Sequence, residues 1–222
     1  MRTKCVQSNR IGISLVELLC ATAVLLLVAS VMVVHANVRG EANQARCRWN
    51  LKETSLAFRQ FASDNGDRLP MRVPQRLGGA REAAAAGDVA GVFKSVADYL
   101  TVPEHVICPG DNRSAAATVP HVTTDELSYF VNATADRQHP GAVLLGDRDV
   151  AAADSNRHAE NWLKGVQEVT RATKELTWSG VLHRDGGNVA QIDGAVVQLK
   201  EGELPKALLA GDPARARLLF PQ

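Results

Sequence analysis

Residues Arg10 to Val34, RIGISLVELLCATAVLLLVASVMVV, hold a single acidic side chain, Glu17, and from Leu18 to Val34 there are 17 consecutive residues without a charge. That length is about the lower limit for crossing a bilayer as a helix. No A-x-A-like cleavage site ends the run, as one would end an ordinary secretory signal. The helical pattern continues past it. Val38 to Ala62 contains no proline, and Cys47, Leu51, Ser55, Phe58 and Ala62 recur at four- and three-residue spacings as one apolar-to-small stripe. Arg46, Arg48, Lys52, Glu53 and Arg59 fall mostly off that stripe. Asn65-Gly66, with Pro70 behind it, is a left-handed stop. A helix from Ile13 to Ser63 would be roughly 75 Å long at ~1.5 Å per residue.

Beyond the stop the pattern shortens. Residues 71–91 are rich in Arg, Gly and Ala and predict a loop with a helical turn or two around Glu82 to Ala86. Val92, Phe93, Val96 and Leu100 predict a short amphipathic helix ending before Pro103, and Cys108-Pro109-Gly110-Asp111 predicts a turn. Strand patterns follow in LSYFVNA from Leu127, AVLLGD from Ala142 and NVAQIDGAVVQL from Asn188. In the last of these, Asp193-Gly194 between two β-prone runs predicts a tight hairpin in which positive φ is needed. Residues 151–180 are polar and carry no assignable pattern. Residues 202–222 predict one short helix around Pro205 to Leu209 and then the tail RARLLFPQ. The fold class is therefore α+β: a long N-terminal helix, half of it transmembrane, packed on a small antiparallel β-sheet.

Charge adds orientation. Arg2, Lys4 and Arg10 precede the apolar run and would keep the N-terminus in the cytoplasm, leaving the rest of the chain outside. Residues 13–222 carry 22 basic and 24 acidic side chains, a formal −2, with no basic patch that points to a nucleic-acid partner. Of four cysteines, only Cys47 and Cys108 lie beyond the apolar run. Outside the cytoplasm these two can form a disulfide, with Cys47 on the core-facing stripe; two free buried thiols is the other state left open.

Gly12, then Ile13-Ser14-Leu15-Val16-Glu17, then the long apolar run resembles the N-terminus of type IV pilins and type II secretion pseudopilins. The resemblance implies a pilin-like fold and a cut by a prepilin peptidase between Gly12 and Ile13, with methylation of the new amine. It also makes Glu17 an assembly carboxylate that meets the amine of a neighbouring subunit. A charged carboxylate at that depth costs on the order of 2.5–3.5 kcal/mol on insertion scales. The expectation is that Glu17 lacks a partner in the lone subunit and finds one in the polymer. The sequence departs from the family in having Ile13 where Phe is usual and no proline near Val34. The implied organisation is a leader over 1–12, an assembly and transmembrane half-helix over 13–35, an exposed half-helix over 36–66, and a periplasmic α+β domain over 67–222. The implied setting is a single-pass protein of the inner membrane. Its implied partners are the peptidase, other pilin or pseudopilin subunits, an inner-membrane assembly platform and the lipid bilayer.

His183, nine residues, then Asp193-Gly194 resembles the H-X9-DG segment, here 183–194, found at the C-terminal end of many prepilin-like proteins. FASDNGDRLP from Phe61, ICPGD from Ile107, SYFVNA from Ser128 and LLGDR from Leu144 resemble the same group in order. The functional expectation is a non-enzymatic structural subunit of a filament serving protein secretion. The alternative is a membrane-anchored periplasmic enzyme or metal-binding protein using His183 with Asp185 or Asp193. No nucleophile elbow, H-E-x-x-H or phosphate-binding loop is present. The histidines, His35, His105, His121, His139, His158 and His183, show no ligand-like spacing, so no metal site and no catalytic residue is assigned. No cofactor is expected. Asp64 and Asp67, or Asp147, Asp149 and Asp185, are the oxygen ligands a Ca²⁺ would use, but no recognisable calcium loop accompanies them.

Overall fold

The computed structural model describes residues 14–152, 162–171, 173, 176–183, 186–211 and 214–222, with side chains except those of 33–37 and 39. Gly12, Ile13 and Asp185 lie outside the described residues. The chain divides into two compact units, residues 1–41 and 42–222. Helix α1 runs over Leu15–Asp64.

In the first unit, the stretch Leu15–Met32 is long and apolar enough to cross a membrane, and none of it is buried. Its few polar side chains are satisfied within the helix: the Thr22 hydroxyl donates to the Leu19 carbonyl and the Ser30 hydroxyl to that of Leu27. Such back-bonding suits a hydrocarbon surrounding, where an unpaired hydroxyl is costly.

In the second unit, the predicted stripe of α1 is the inner one: Cys47, Leu51, Ser55, Phe58 and Ala62 are all buried. The helix stops where the sequence predicts. Gly66 and Asp67 both have φ of 65°, and the Asp67 N–H returns to the Ala62 carbonyl at 2.8 Å. Two short helices follow, α2 (Arg81–Ala86) and α3 (Val89–Lys94), the latter N-capped by the Asp88 carboxylate, which accepts from the Gly91 N–H. Helix α3 starts and ends earlier than the Val92 to Leu100 periodicity implies. Those four apolar positions are still buried, the later ones on turns after Lys94.

Among the described residues, eight strands complete the unit: β1 (Tyr129–Asn132), β2 (Val143–Asp147), β3 (Val150–Ala152), β4 (Gly165–Thr170), β5 (Leu176–Trp178), β6 (Gly187–Gln191), β7 (Val196–Leu199) and β8 (Arg215–Phe220). Helix α4 (Leu204–Leu208) precedes β8. Six strands form an antiparallel sheet in the order β4-β8-β1-β2-β6-β7, and β3 pairs with β5 separately. The architecture is α+β, and the sheet is larger than the sequence predicts, because β4 and β8 join it. Both faces of its central strands are covered. Tyr129, Val131 and Leu219 point to the core shared with α1, while Phe130, Leu218 and Phe220 point to a second core with Trp178, Leu204 and Leu208. Alternation along each strand feeds both cores.

The β6–β7 turn differs from a two-residue hairpin. The Gly194 N–H donates to the Gln191 carbonyl, and the Gln191 N–H to that of Ala195, so Ile192, Asp193 and Gly194 form a three-residue loop. Only Gly194 takes positive φ, 89°, and a Cβ there would collide with Arg59 Nη1 of α1. Asn132-Ala133-Thr134 matches the glycan-acceptor pattern, but Asn132 is buried and donates to the Val143 carbonyl.

One ion pair locks the loops over the sheet end. Arg148 donates to both carboxylate oxygens of Asp111, at 2.7 and 2.9 Å, while its guanidinium lies 4.1 Å from the ring centre of Trp162. Burial works against the Asp111 charge, but Arg148, the Ser128 hydroxyl and Arg113 outweigh it and lower its pKa. Arg148→Ala is expected to cost about 3 kcal/mol in urea unfolding, because it strands a buried carboxylate. Since the folded pKa is depressed, the pair's contribution is complete above the unfolded carboxylate value of about 3.9 and fades as pH falls below it. The variant should therefore lose less stability than the wild type on acidification.

Candidate functional site

Two places hold chemistry that the fold alone does not demand. The first is the start of α1. The Ser14 N–H donates to Glu17 Oε2 at 2.9 Å and the Glu17 N–H to Ser14 Oγ at 3.2 Å. This is a reciprocal capping box, which the Ser-x-x-Glu spacing encodes and which satisfies two N–H groups with no partner inside the helix. The expectation of a partnerless Glu17 in the lone subunit is thus corrected: its carboxylate has a local hydrogen bond. That bond leaves the negative charge uncompensated by any cation among the described residues near it.

The second is a buried cluster at the end of the sheet in the second unit. The α1 stripe supplies Cys47, the turn at Cys108-Asp111 supplies Cys108, the end of β2 supplies Asp147, and the segment between β5 and β6 supplies His183. Cys47 Sγ donates to Asp147 Oδ1 at 3.2 Å. His183 Nε2 stands 3.3 Å from Cys108 Sγ and 3.3 Å from Asp147 Oδ2. One donor atom from each of the four lies within 4.8 Å of every other. Cys47, Cys108 and Asp147 are fully buried and His183 is 5% exposed. Cys47 and Cys108 stand together as free thiols.

A surrounding layer orients these groups. Asn188 donates to Asp147 Oδ2 from its backbone N–H at 2.7 Å and from its side-chain amide at 2.9 Å. The Tyr129 hydroxyl lies 3.6 Å from Cys47 Sγ and donates to the Ile107 carbonyl at 3.3 Å. Asp149, also buried, accepts from the Ser179 hydroxyl and the Leu182 N–H, both at 3.4 Å, and its other oxygen has no partner among the described residues.

The electrostatics follow from crowding four titratable groups out of water. The Cys108 pKa is lowered to about 7, chiefly by the neighbouring Cys47 side chain and also by His183, against burial. Burial pushes the Cys47 thiol up, so the two sulfurs differ in the ease with which they lose a proton. For His183, burial opposes the charge, but Cys108, Asp147 and Asp149 prevail and raise its pKa to about 9. Burial raises Asp147, and burial with the Asp147 charge lifts Asp149 to about 8.

The ends of the H-X9-DG segment have separate partners. His183 belongs to the cluster, whereas Asp193 Oδ1 accepts from the Ala195 N–H in the β6–β7 turn. Asp64 and Asp67 have separate partners. Asp64 accepts from the Tyr99 hydroxyl at 2.7 Å and Asp67 pairs with Arg137 at 2.8 Å. Sequence reasoning named all four cluster residues, but as a possible disulfide, an acidic group and a motif histidine. Only the fold puts them on one centre. Comparison with protein-family models, with curated proteins and with solved structures gave no match.

Proposed function

We propose that this chain is a structural subunit, a pseudopilin or minor pilin, of a type II secretion or type IV pilus-like filament. The observation that carries the reading is α1, one helix over Leu15–Asp64 that starts with the Ser14/Glu17 cap, continues as an uncovered apolar surface, and ends as the core helix of an α+β unit. An apolar helical surface of that length is stable in lipid or against copies of itself, not in water. The resemblance of Gly12 to Glu17 to the prepilin cleavage site supplies the rest. A peptidase cuts after Gly12, the N-terminus lies in the cytoplasm, and the second unit is held outside the inner membrane. Glu17 serves as cap and as assembly charge, and His183 serves structure rather than catalysis.

Intact-mass measurement on protein extracted from membranes tests this. The expected mass is that of a chain beginning at Ile13, with or without one added methyl group, and Gly12→Arg should accumulate as the full-length precursor. A wild-type chain that keeps its first twelve residues, or is cut after the apolar run, rejects the reading.

A further inference from the structure

We propose that Cys47, Cys108, Asp147 and His183 bind one Zn²⁺ ion in a closed, tetrahedral, structural site that fastens α1 to the sheet. The donor set is the first ground. Two thiolates, one imidazole nitrogen and one carboxylate oxygen are ligands that zinc takes in four-coordinate sites, whereas calcium and magnesium want oxygen alone.

Geometry is the second ground. With Zn–S near 2.3 Å and Zn–N or Zn–O near 2.0–2.1 Å, the edges of a tetrahedron come to about 3.3–3.8 Å. The His183–Asp147 separation of 3.3 Å matches the nitrogen–oxygen edge, the 3.2 and 3.3 Å separations that involve sulfur are slightly shorter than the sulfur–oxygen and sulfur–nitrogen edges, so a bound ion would spread them a little, and no pair of donors exceeds 4.8 Å. His183 Nε2 faces both Cys108 Sγ and Asp147 Oδ2 with at most one proton to give.

Support around the donors is the third ground. Asn188 fixes the Asp147 carboxylate with two hydrogen bonds, and its amide reaches Cys47 Sγ at 3.8 Å. Metal-binding carboxylates are normally held this way. The burial of all four donors leaves no open position for a substrate, which separates this centre from a catalytic zinc. On binding, the protons held by the two sulfurs and by His183 Nε2 leave to solvent, and two thiolates, one carboxylate and a neutral imidazole around Zn²⁺ give the centre a net charge of −1. Zinc and a Cys47–Cys108 disulfide are mutually exclusive uses of the same sulfurs.

The test uses the full-length chain in detergent, with Cys5→Ser and Cys20→Ser to silence the other thiols, stripped of metal under reducing conditions and titrated with ZnCl₂. One equivalent per chain is expected, with protection of both remaining thiols from iodoacetamide and a raised melting temperature. Co²⁺ in place of zinc should give the visible absorption of a tetrahedral thiolate complex. Asn188→Ala, which keeps all four donors, should bind about 10-fold more weakly, and His183→Ala should lose the stoichiometric site. Wild-type thiols that stay fully alkylatable in excess zinc overturn the proposal, whether or not the variants fold. So does a Cys47–Cys108 disulfide peptide as the main species in membrane-extracted protein.

Discussion

Filaments are expected to disappear from cells carrying Glu17→Gln, while the level of membrane-inserted protein and the melting temperature of the 42–222 unit remain those of the wild type. The choice of glutamine follows from the capping box. Its amide oxygen can still accept from the Ser14 N–H, so the helix start keeps its hydrogen bond and loses only the charge. At the helix start that charge is worth at most about 1 kcal/mol through the macrodipole, too little to remove the helix from the membrane. Between subunits the arithmetic is different. In the proposed filament, a carboxylate facing the new Ile13 amine of a neighbour would interact in a medium where charges are poorly screened, each partner offsetting the other's burial. The measurement is filament yield in sheared or cross-linked fractions, beside precursor and mature protein by immunoblot. Normal filaments from the variant would reduce Glu17 to a helix cap and remove the assembly role from the proposed function.

Phe58→Ala should destabilise the 42–222 unit by about 3–5 kcal/mol, a large part of the 5–15 kcal/mol that holds a domain of ordinary stability. Phe58 is fully buried and meets Phe93 of α3 edge-on, with ring centres 5.8 Å apart at 80°. Truncation leaves a void that helix and sheet cannot both close around. Leu25→Ala, on the same helix but 67% exposed, should change the unfolding of that unit by no more than about 0.5 kcal/mol. Urea unfolding followed by tryptophan fluorescence separates the two. Equal effects would mean that the helix has no distinct core-forming half.

The core face of α1 is legible in the sequence because a 3.6-residue repeat is a local property: five residues, Cys47 to Ala62, define it without reference to the rest of the chain. The stop at Asn65-Gly66 and the turn at Asp193-Gly194 are legible for the same reason. Strand β4 is not, since alternation in GVQEVT buries only Val169 fully and the strand is defined by its pairing with β8. Strand β8 hides behind two arginines in a short tail and is identified by partners far away in sequence. The buried cluster fails to show for a related reason. Its four donors sit on separate elements dozens of residues apart, so no ligand-like spacing exists to be read. The capping box at Ser14 and Glu17 has a local signature, Ser-x-x-Glu, but the apolar run beside it gives the same carboxylate a second reading as a membrane-embedded charge.

The place of β8 bears on the order in which the molecule can be completed. β8, which follows the other seven strands in chain order, takes an interior position, hydrogen-bonded to β4 on one side and β1 on the other, and among the described residues β4 has no other partner in the sheet. Until residues 215–220 leave the ribosome, β4 has nothing to pair with and the edge of β1 stands open. A nascent chain can therefore assemble β1, β2, β6 and β7 against α1 early, but it waits on residues 215–220 to close the sheet. Fragments released by premature termination just before Arg215 would carry an exposed template for strand addition, making them substrates for aggregation or for quality-control proteases rather than weaker versions of the whole.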